Sequence, residues 1–279
     1  MPIRHPIHWG MDQFQFLHAD PKLEPTAYQP STIPAIRTIT VEDLADALRS
    51  GWADFTVCRT DVLFLCVLYP VIGLLLGRLA FGYGIMPLLF PLTAGFALLG
   101  PLAAVGLNEI SRRRELGADV SWLDAFGVLG ARARFSLMQL GLVLVAIFTA
   151  WLVVAQTLYN ITLGPLMPVS LGAFSDALAN TDGGGELIVF GCGLGFLFAC
   201  GVLAMTIVSF PLMLDRGATL ETAIATSLRV VRTNPFPIAL WGLLVVTLLT
   251  LGALPGLIGL AVVLPVLGHA TWHLYRKLI

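Results

Sequence analysis

Long apolar runs alternate with short polar segments along most of the chain. A membrane-spanning helix needs about 20 predominantly apolar residues, and six runs beyond residue 61 approach or exceed this length. They cover residues 62–82, 85–107, 136–159, 187–214, 236–253 and 256–275. The pattern predicts an all-α fold, a polytopic membrane bundle of six transmembrane helices.

The composition agrees with a membrane protein and excludes several other classes. Of the 279 residues, 57% are hydrophobic and only 12% are charged, with a mean hydropathy of +0.86. Soluble domains carry about 25% charged residues. The net charge of −1 provides no general attraction for nucleic acid. The sequence therefore predicts the lipid bilayer as a partner and no nucleic acid.

The basic residues are distributed unequally between the two sides of this six-span arrangement. Fifteen of the sixteen Lys and Arg residues lie in the polar segments on one side, and Arg78 is the exception. The opposite connections, residues 83–84, 160–186 and 254–255, contain none. Because cytoplasmic segments carry the excess of basic residues, both termini are predicted to be cytoplasmic.

The three polar segments on the basic side share one design. Thr40, Ser121 and Thr219 are residues that cap helices, and Asp43 and Asp124 follow at the spacing of a capping box. Apolar residues then recur at helical spacing. They are Val41, Leu44, Ala45, Leu48 and Trp52, then Trp122, Ala125, Phe126, Leu129 and Ala133, then Leu220, Ala223, Ile224, Leu228 and Val231. The pattern predicts three amphipathic cytoplasmic interfacial helices.

These segments suggest a domain organisation. Residues 1–39 form a Pro-rich cytoplasmic tail that we expect to be partly disordered, and residues 40–279 form the membrane domain. Within it, units 40–107, 121–214 and 219–275 each combine an interfacial helix with a transmembrane hairpin, which indicates a threefold internal repeat. The alternative is that any short cytoplasmic link between spans tends to be amphipathic and capped.

Polar residues at the ends of the spans are the first candidate site. Glu109 and Asp215 end the second and fourth runs, and Arg229 and Arg232 lie in the third polar segment. One interpretation is that all four are solvated. The other is that Glu109 or Asp215 pairs with Arg229 or Arg232 and holds the interfacial helices down, forming a structural or functional polar cluster.

A histidine pair is the second candidate. His269 and His273 lie four residues apart, on one face of the predicted sixth helix. Such a pair can bind a metal, but its neighbours Trp272 and Tyr275 are typical of an interfacial belt. The sequence therefore predicts no metal site and no cofactor, and this pair is the alternative candidate for a metal site.

The chain contains no G-x-S-x-G, P-loop or H-E-x-x-H motif, and its spans contain almost no ionisable residue near their middle, which disfavours a proton-coupled transporter. Small-residue pairs such as Gly191-x-x-x-Gly195 allow close helix packing. These features favour a non-enzymatic scaffold or accessory factor for another membrane complex.

Pro and Gly residues within the spans leave open a transporter or channel for a weakly charged or lipid-like solute. A third hypothesis is a lipid-modifying enzyme that uses Glu109, Asp215 or His269 as acid or base.

Two blocks carry a family resemblance: SFPLMLDRGATLETAIATSLRVVRTNPFPIALWG at 209–242 and LPVLGHATWHLYRKLI at 264–279. They resemble the bacterial integral membrane family catalogued as domain of unknown function 2189, and the likeness extends over roughly residues 40–279. The resemblance implies a multi-pass protein of the bacterial inner membrane. It implies no activity.

Overall fold

A computed structural model describes residues 32–57, 91–92, 98–118, 120–131, 134–164, 171–255 and 258–279. Helices account for most of these residues and no strand occurs among them. They are α1 (41–57), α2 (Gly100–Ala103), α3 (Val105–Glu115), α4 (Arg134–Thr162), α5 (Leu171–Asn180), α6 (Asp182–Thr206), α7 (Ser209–Arg216), α8 (Leu220–Thr233), α9 (Pro235–Ala253) and α10 (Leu260–Leu278), with a 3₁₀ helix at Trp122–Gly130. Predicted span 62–82, most of 85–107 and most of the tail 1–39 lie outside the described residues.

Three helical stretches are long and apolar enough to cross a membrane. They are α4, the stretch Asp182–Arg216 that contains α6 and α7, and α9, with mean hydropathies of 2.4, 2.4 and 2.1. They coincide with the predicted spans 136–159, 187–214 and 236–253. α10 is not among them, because its second half contains His269, His273, Arg276 and Lys277. The all-α membrane character is therefore confirmed, and the count of six spans stays a prediction.

The predicted fourth span consists of two helices with different surroundings. α6 ends at Thr206, and a turn at residues 207–208 separates it from α7. Most side chains of α6 are exposed or half-buried, whereas Ser209–Leu214 of α7 are all buried. The apolar run thus leaves the lipid-facing surface and enters the protein core, which hydropathy alone does not distinguish.

Beneath the spans the chain forms a densely packed layer, which we call the basal layer. It comprises residues 36–57, α3, the 3₁₀ helix, α7, α8 and residues 267–278 of α10. Ala47, Leu212, Met213, Trp272 and Leu278 are among its fully buried side chains. All described Lys and Arg residues lie in this layer or, for Arg134, at the first residue of α4. The described N-terminal segment and the end of α10 also meet here, because Arg37 N donates to the Leu278 carbonyl at 2.9 Å.

The caps of the basal layer form through specific hydrogen bonds. Thr40 N donates to Asp43 Oδ2 at 2.8 Å, and Asp43 N donates to Thr40 Oγ1 at 3.4 Å. The Thr40 backbone bond and the Lys277 ammonium lower the pKa of Asp43 to about 2. Thr219 Oγ1 accepts from Thr222 N at 3.3 Å. These bonds satisfy amide groups that have no partner within the first turn.

The middle segment differs from the other two. Ser121 N donates to Asp124 Oδ2 at 2.7 Å, but the residues that follow form a 3₁₀ helix rather than the expected α-helix. Phe126, expected on its apolar face, is exposed. The three capped segments therefore differ in conformation, and the threefold repeat stays a prediction.

The buried faces of α1 and α8 are rotated from the predicted apolar faces. α1 buries Leu44, Ala47, Gly51 and Phe55, while Val41 and Trp52 are exposed. The buried residues of α8 are Thr222, Ala223, Thr226, Ser227 and Val230. The buried faces carry small side chains, because these allow neighbouring helices to approach closely. A Cβ added at Gly51 would lie 2.6 Å from Ala270 N of α10.

Candidate functional site

The main polar site is a buried cluster where α1, α3 and α10 meet. It consists of Asp54 in the last described turn of α1, Ser111 and Arg114 on α3, and His269 and His273 on α10, and we call it the Asp54 cluster. The i,i+3 and i,i+4 spacings place each pair on one face of its helix. Asp54 is 6% exposed, Ser111 1% and His269 0%. The cluster thus places a carboxylate in the protein interior.

The Asp54 carboxylate receives bonds from two other helices. Ser111 Oγ donates to Asp54 Oδ2 at 2.6 Å, and His273 Nε2 lies 2.8 Å from the same oxygen. The Arg114 guanidinium pairs with Oδ1. Burial opposes the charge of Asp54, but bonds from His273 and Ser111 outweigh this and hold the pKa of Asp54 below its usual range. Asp54 is therefore ionised at neutral pH.

The hydrogen bonds also determine which ring nitrogen of His269 carries the proton. Its Nδ1 lies 2.8 Å from Ser111 Oγ. A serine hydroxyl donates one hydrogen, and Ser111 gives it to Asp54, so the His269 Nδ1–H donates to Ser111. His269 Nε2 has no hydrogen-bond partner among the described residues. Ser111 therefore accepts a hydrogen bond from the imidazole rather than donating one to it.

This arrangement is not that of a nucleophilic serine. In a Ser-His-Asp triad the imidazole accepts the serine proton and the carboxylate orients the imidazole. Here Ser111 lies between Asp54 and His269, and Ser111 and His269 are shielded from solvent. The geometry therefore supports a structural role, in which three helices are joined through one carboxylate.

Glu109 belongs to a second ion-pair group. It accepts from Arg112 Nε at 2.8 Å and from Arg113 Nε at 2.7 Å, and Arg113 Nη1 also lies 2.5 Å from Asp124 Oδ1. A Cβ added at Gly127 would collide with the Arg113 guanidinium, so glycine permits this approach. These contacts attach the 3₁₀ helix to α3.

Asp215 joins α7 to α10. Tyr275 Oη donates to Asp215 Oδ2 at 2.6 Å, and Arg276 Nη1 lies 3.8 Å from the same oxygen. Arg229 and Arg232 are exposed and make no described ion pair. The structure thus gives Glu109 and Asp215 other partners than Arg229 and Arg232, and it does not bring the four predicted residues together.

Among the described residues, Glu109, Asp215 and His269 do not form a contacting group. No group of three or more His, Cys, Asp or Glu side chains there is placed to hold a metal ion. No described hydrogen bond joins Glu109, Asp215 and His269 to one another. The described contacts therefore give no support to the hypothesis of a lipid-modifying enzyme. His269 and His273 are instead brought together with Asp54.

Sequence reasoning missed Asp54 and Ser111 as site residues. It gave neither residue a role in a site. One available signal was the i,i+4 histidine pair on a half-apolar helix, because such a pair needs polar partners when it is buried. The positions of those partners, 158 and 219 residues away along the chain, follow only from the fold.

Comparison with known proteins finds a family match in the middle of the chain. The model of a family described as "Predicted integral membrane protein (DUF2189)" matches residues 89–215. No curated protein and no solved structure matches the chain. Of the blocks that carried the resemblance, only residues 209–215 fall within the matched region. The match nevertheless confirms the family expected from the sequence: the chain carries the region characteristic of the DUF2189 integral membrane proteins.

Proposed function

We propose that the protein is a non-enzymatic scaffold or accessory factor whose α6 packs against a transmembrane helix of another membrane protein. The supporting observation is the exposure of α6. Only 6% of the most apolar window of Asp182–Arg216 is buried, compared with 28% in α4 and 17% in α9.

The surface of α6 is suited to a helical partner. Gly195 packs against the Trp151 ring of α4, where an added Cβ would lie at 3.1 Å. Gly193 and Gly201, by contrast, have open space where a Cβ would be. Exposed Val189 and Leu197 alternate with them along the helix. Small residues between large ones allow a second helix to approach closely within a membrane.

The basal layer would hold this surface in place. α7 follows α6 directly and is buried, and Asp215 ties it to α10. The six-span topology, with cytoplasmic termini in a bacterial inner membrane, belongs to the same proposal. Its support is the concentration of Lys and Arg in the basal layer. Val41 and Trp52 of α1 are exposed apolar residues of the kind that an interfacial helix presents to a bilayer.

Purification in mild detergent tests the partner. We expect the tagged wild type to recover another membrane protein in stoichiometric amount, and Gly193→Phe to lose it. Val246→Phe, which places the same side chain on the exposed surface of α9, is the control and should retain the partner. A wild type that is reproducibly isolated alone, or equal recovery with both variants, would contradict the proposal.

The transporter or channel alternative makes a different prediction. It requires solute flux through the purified protein in proteoliposomes. No Asp, Glu, Lys, Arg or His lies in the middle of α4, α6 or α9, and ion-coupled transporters usually place such residues there. The described spans therefore disfavour ion-coupled transport, and the flux measurement decides between the scaffold and a channel or carrier for a weakly charged or lipid-like solute.

A further inference from the structure

We propose that Arg37, Arg229 and Arg232 bind the headgroup of an anionic phospholipid where α9 enters the membrane. This site is independent of the scaffold proposal. The inference depends on the lack of carboxylate partners for these arginines, on the contacts that bring their backbones together, and on their position at the start of a span.

Most other cations of the basal layer have a carboxylate partner. Arg112 and Arg113 pair with Glu109, Arg114 with Asp54, and Arg276 with Glu115, and Lys277 pairs with Asp43. Arg49 pairs with Asp46. Arg37, Arg229 and Arg232 are exposed, and no described carboxylate pairs with them. This part of the surface therefore carries positive charge without a counterion from the described residues.

Asn234 brings the three arginines to one place. Its Oδ1 accepts from Ile39 N at 2.9 Å and its Nδ2 donates to the Arg37 carbonyl at 3.1 Å. Asn234 is also the C-cap of α8, so Arg232 is two residues away from this contact. Arg229 and Arg232 are separated by about 4.5 Å along the helix axis and are both exposed. The three long side chains can therefore reach a single phosphate.

The site lies at the expected depth of lipid headgroups. α9 begins at Pro235, directly after Asn234, and it is one of the candidate spans. Phe236 in its first turn is 69% exposed, as expected for a side chain that contacts acyl chains. Arg229 and Arg232 precede it by one to two turns. Guanidinium groups form paired hydrogen bonds with phosphate, which favours a phospholipid with net negative charge.

Nearby acids do not neutralise the site through any described contact. Glu42 and Glu221 are the carboxylates closest in sequence to Arg37 and Arg229. Both are exposed, and neither makes a described ion pair. Glu221 lies in the first turn of α8, at the end opposite Arg232.

Native mass spectrometry of the purified protein with phosphatidylglycerol or phosphatidylcholine tests the site. We expect the wild type to retain phosphatidylglycerol in preference, and the triple variant Arg37→Gln, Arg229→Gln, Arg232→Gln to lose this preference. The expected loss is about fivefold per arginine removed, since each basic residue near an anionic surface contributes roughly that factor. Arg49→Gln removes one exposed charge elsewhere and is the control, which should bind like the wild type.

Thermal unfolding without lipid shows whether the variants are folded. Should the triple variant unfold, Arg232→Gln and Arg232→Lys replace it, and we expect the glutamine variant to lose more phosphatidylglycerol than the lysine variant. Equal retention of the two lipids by the wild type would overturn the proposal. So would an equal loss in Arg49→Gln, or displacement of the lipid by soluble glycerol phosphate, which would indicate a site for a free phosphate.

Discussion

Asp54 shows at the scale of one residue how the fold depends on buried charge. Moving a carboxylate out of water is costly unless several hydrogen bonds compensate for the lost hydration. Asp54 has three such partners, Ser111, Arg114 and His273. They come from helices that are distant in sequence, so this single side chain fixes how α1, α3 and α10 pack.

Replacing Asp54 should therefore destabilise the whole basal layer. Asp54→Asn keeps the shape of the side chain but leaves the Arg114 guanidinium without a counter-charge and removes the charged acceptor that Ser111 and His273 contact. Breaking one partner of a buried pair costs about 3–5 kcal/mol, so we expect a clear fall in the thermal unfolding midpoint in detergent.

Asp46→Asn is the matched control for this experiment. Asp46 pairs with Arg49 and Lys277 at the surface, where an ion pair contributes about 0–1 kcal/mol. Similar unfolding midpoints for the two variants would show that the Asp54 cluster does not stabilise the fold.

The residues of the clusters could be predicted only where sequence spacing determines the contact. His269 and His273 were recognisable as a pair through helical spacing alone. Glu109 precedes Arg112 and Arg113 by three and four residues, which favours local pairs, and the structure contains those pairs rather than the long-range ones expected. The Asp54–His273 contact crosses 219 residues, and no periodic pattern encodes such a distance.

At the scale of elements, the packing of α1 depends on its close approach to α10. Gly51 faces α10, where an added Cβ would lie 2.6 Å from Ala270 N and 2.7 Å from Val266 O. Both contacts are with backbone atoms, which cannot rotate aside. The packing of α1 therefore requires glycine at this position.

Gly51→Ala should destabilise the protein although alanine normally favours a helix. The substitution gains about 0.5–1 kcal/mol from helix propensity, but overpacking costs typically 1–3 kcal/mol. Gly201→Ala is the control in α6, where the space is open, and it should be neutral or stabilising. A higher unfolding midpoint for Gly51→Ala than for the wild type would show that α1 and α10 are not in this contact.

The long apolar elements were the most predictable part of the fold. Spans 136–159 and 236–253 fall within α4 and α9 because lipid-facing helices must be apolar around most of their circumference. The break at residues 207–208 and the rotated faces of α1 and α8 were not predictable. Both depend on neighbouring helices and on small residues such as Gly51, which carry little hydropathy signal.

At the scale of the whole molecule, the chain has an apolar zone and a basic one. α4, α6 and α9 extend from the basal layer, and residues 171–180 form α5 beside the far end of α6. The far connection contains no Lys or Arg. If the spans cross a bilayer, α5 and α8 lie on opposite sides of it.

Cysteine labelling can test this arrangement. In a variant whose four native cysteines are replaced by serine, Ala179→Cys on α5 should react with a membrane-impermeant maleimide in intact cells. Thr233→Cys on α8 should react only after the cells are disrupted. Both positions are exposed, so a difference in labelling reports their location. Labelling of both in intact cells would contradict the predicted orientation.

The contacts between α1 and α10 have a consequence for biosynthesis. Asp43 of α1 bonds to Lys277, which lies 234 residues further along the chain, and Gly51 packs against Ala270. A ribosome releases α1 long before it makes those partners. The intervening spans must therefore be synthesised while the face of α1 that packs against α10 is still uncovered. We expect a chaperone to shield α1 until α10 has been synthesised. We also expect proteases to degrade chains that stall before α10 is made.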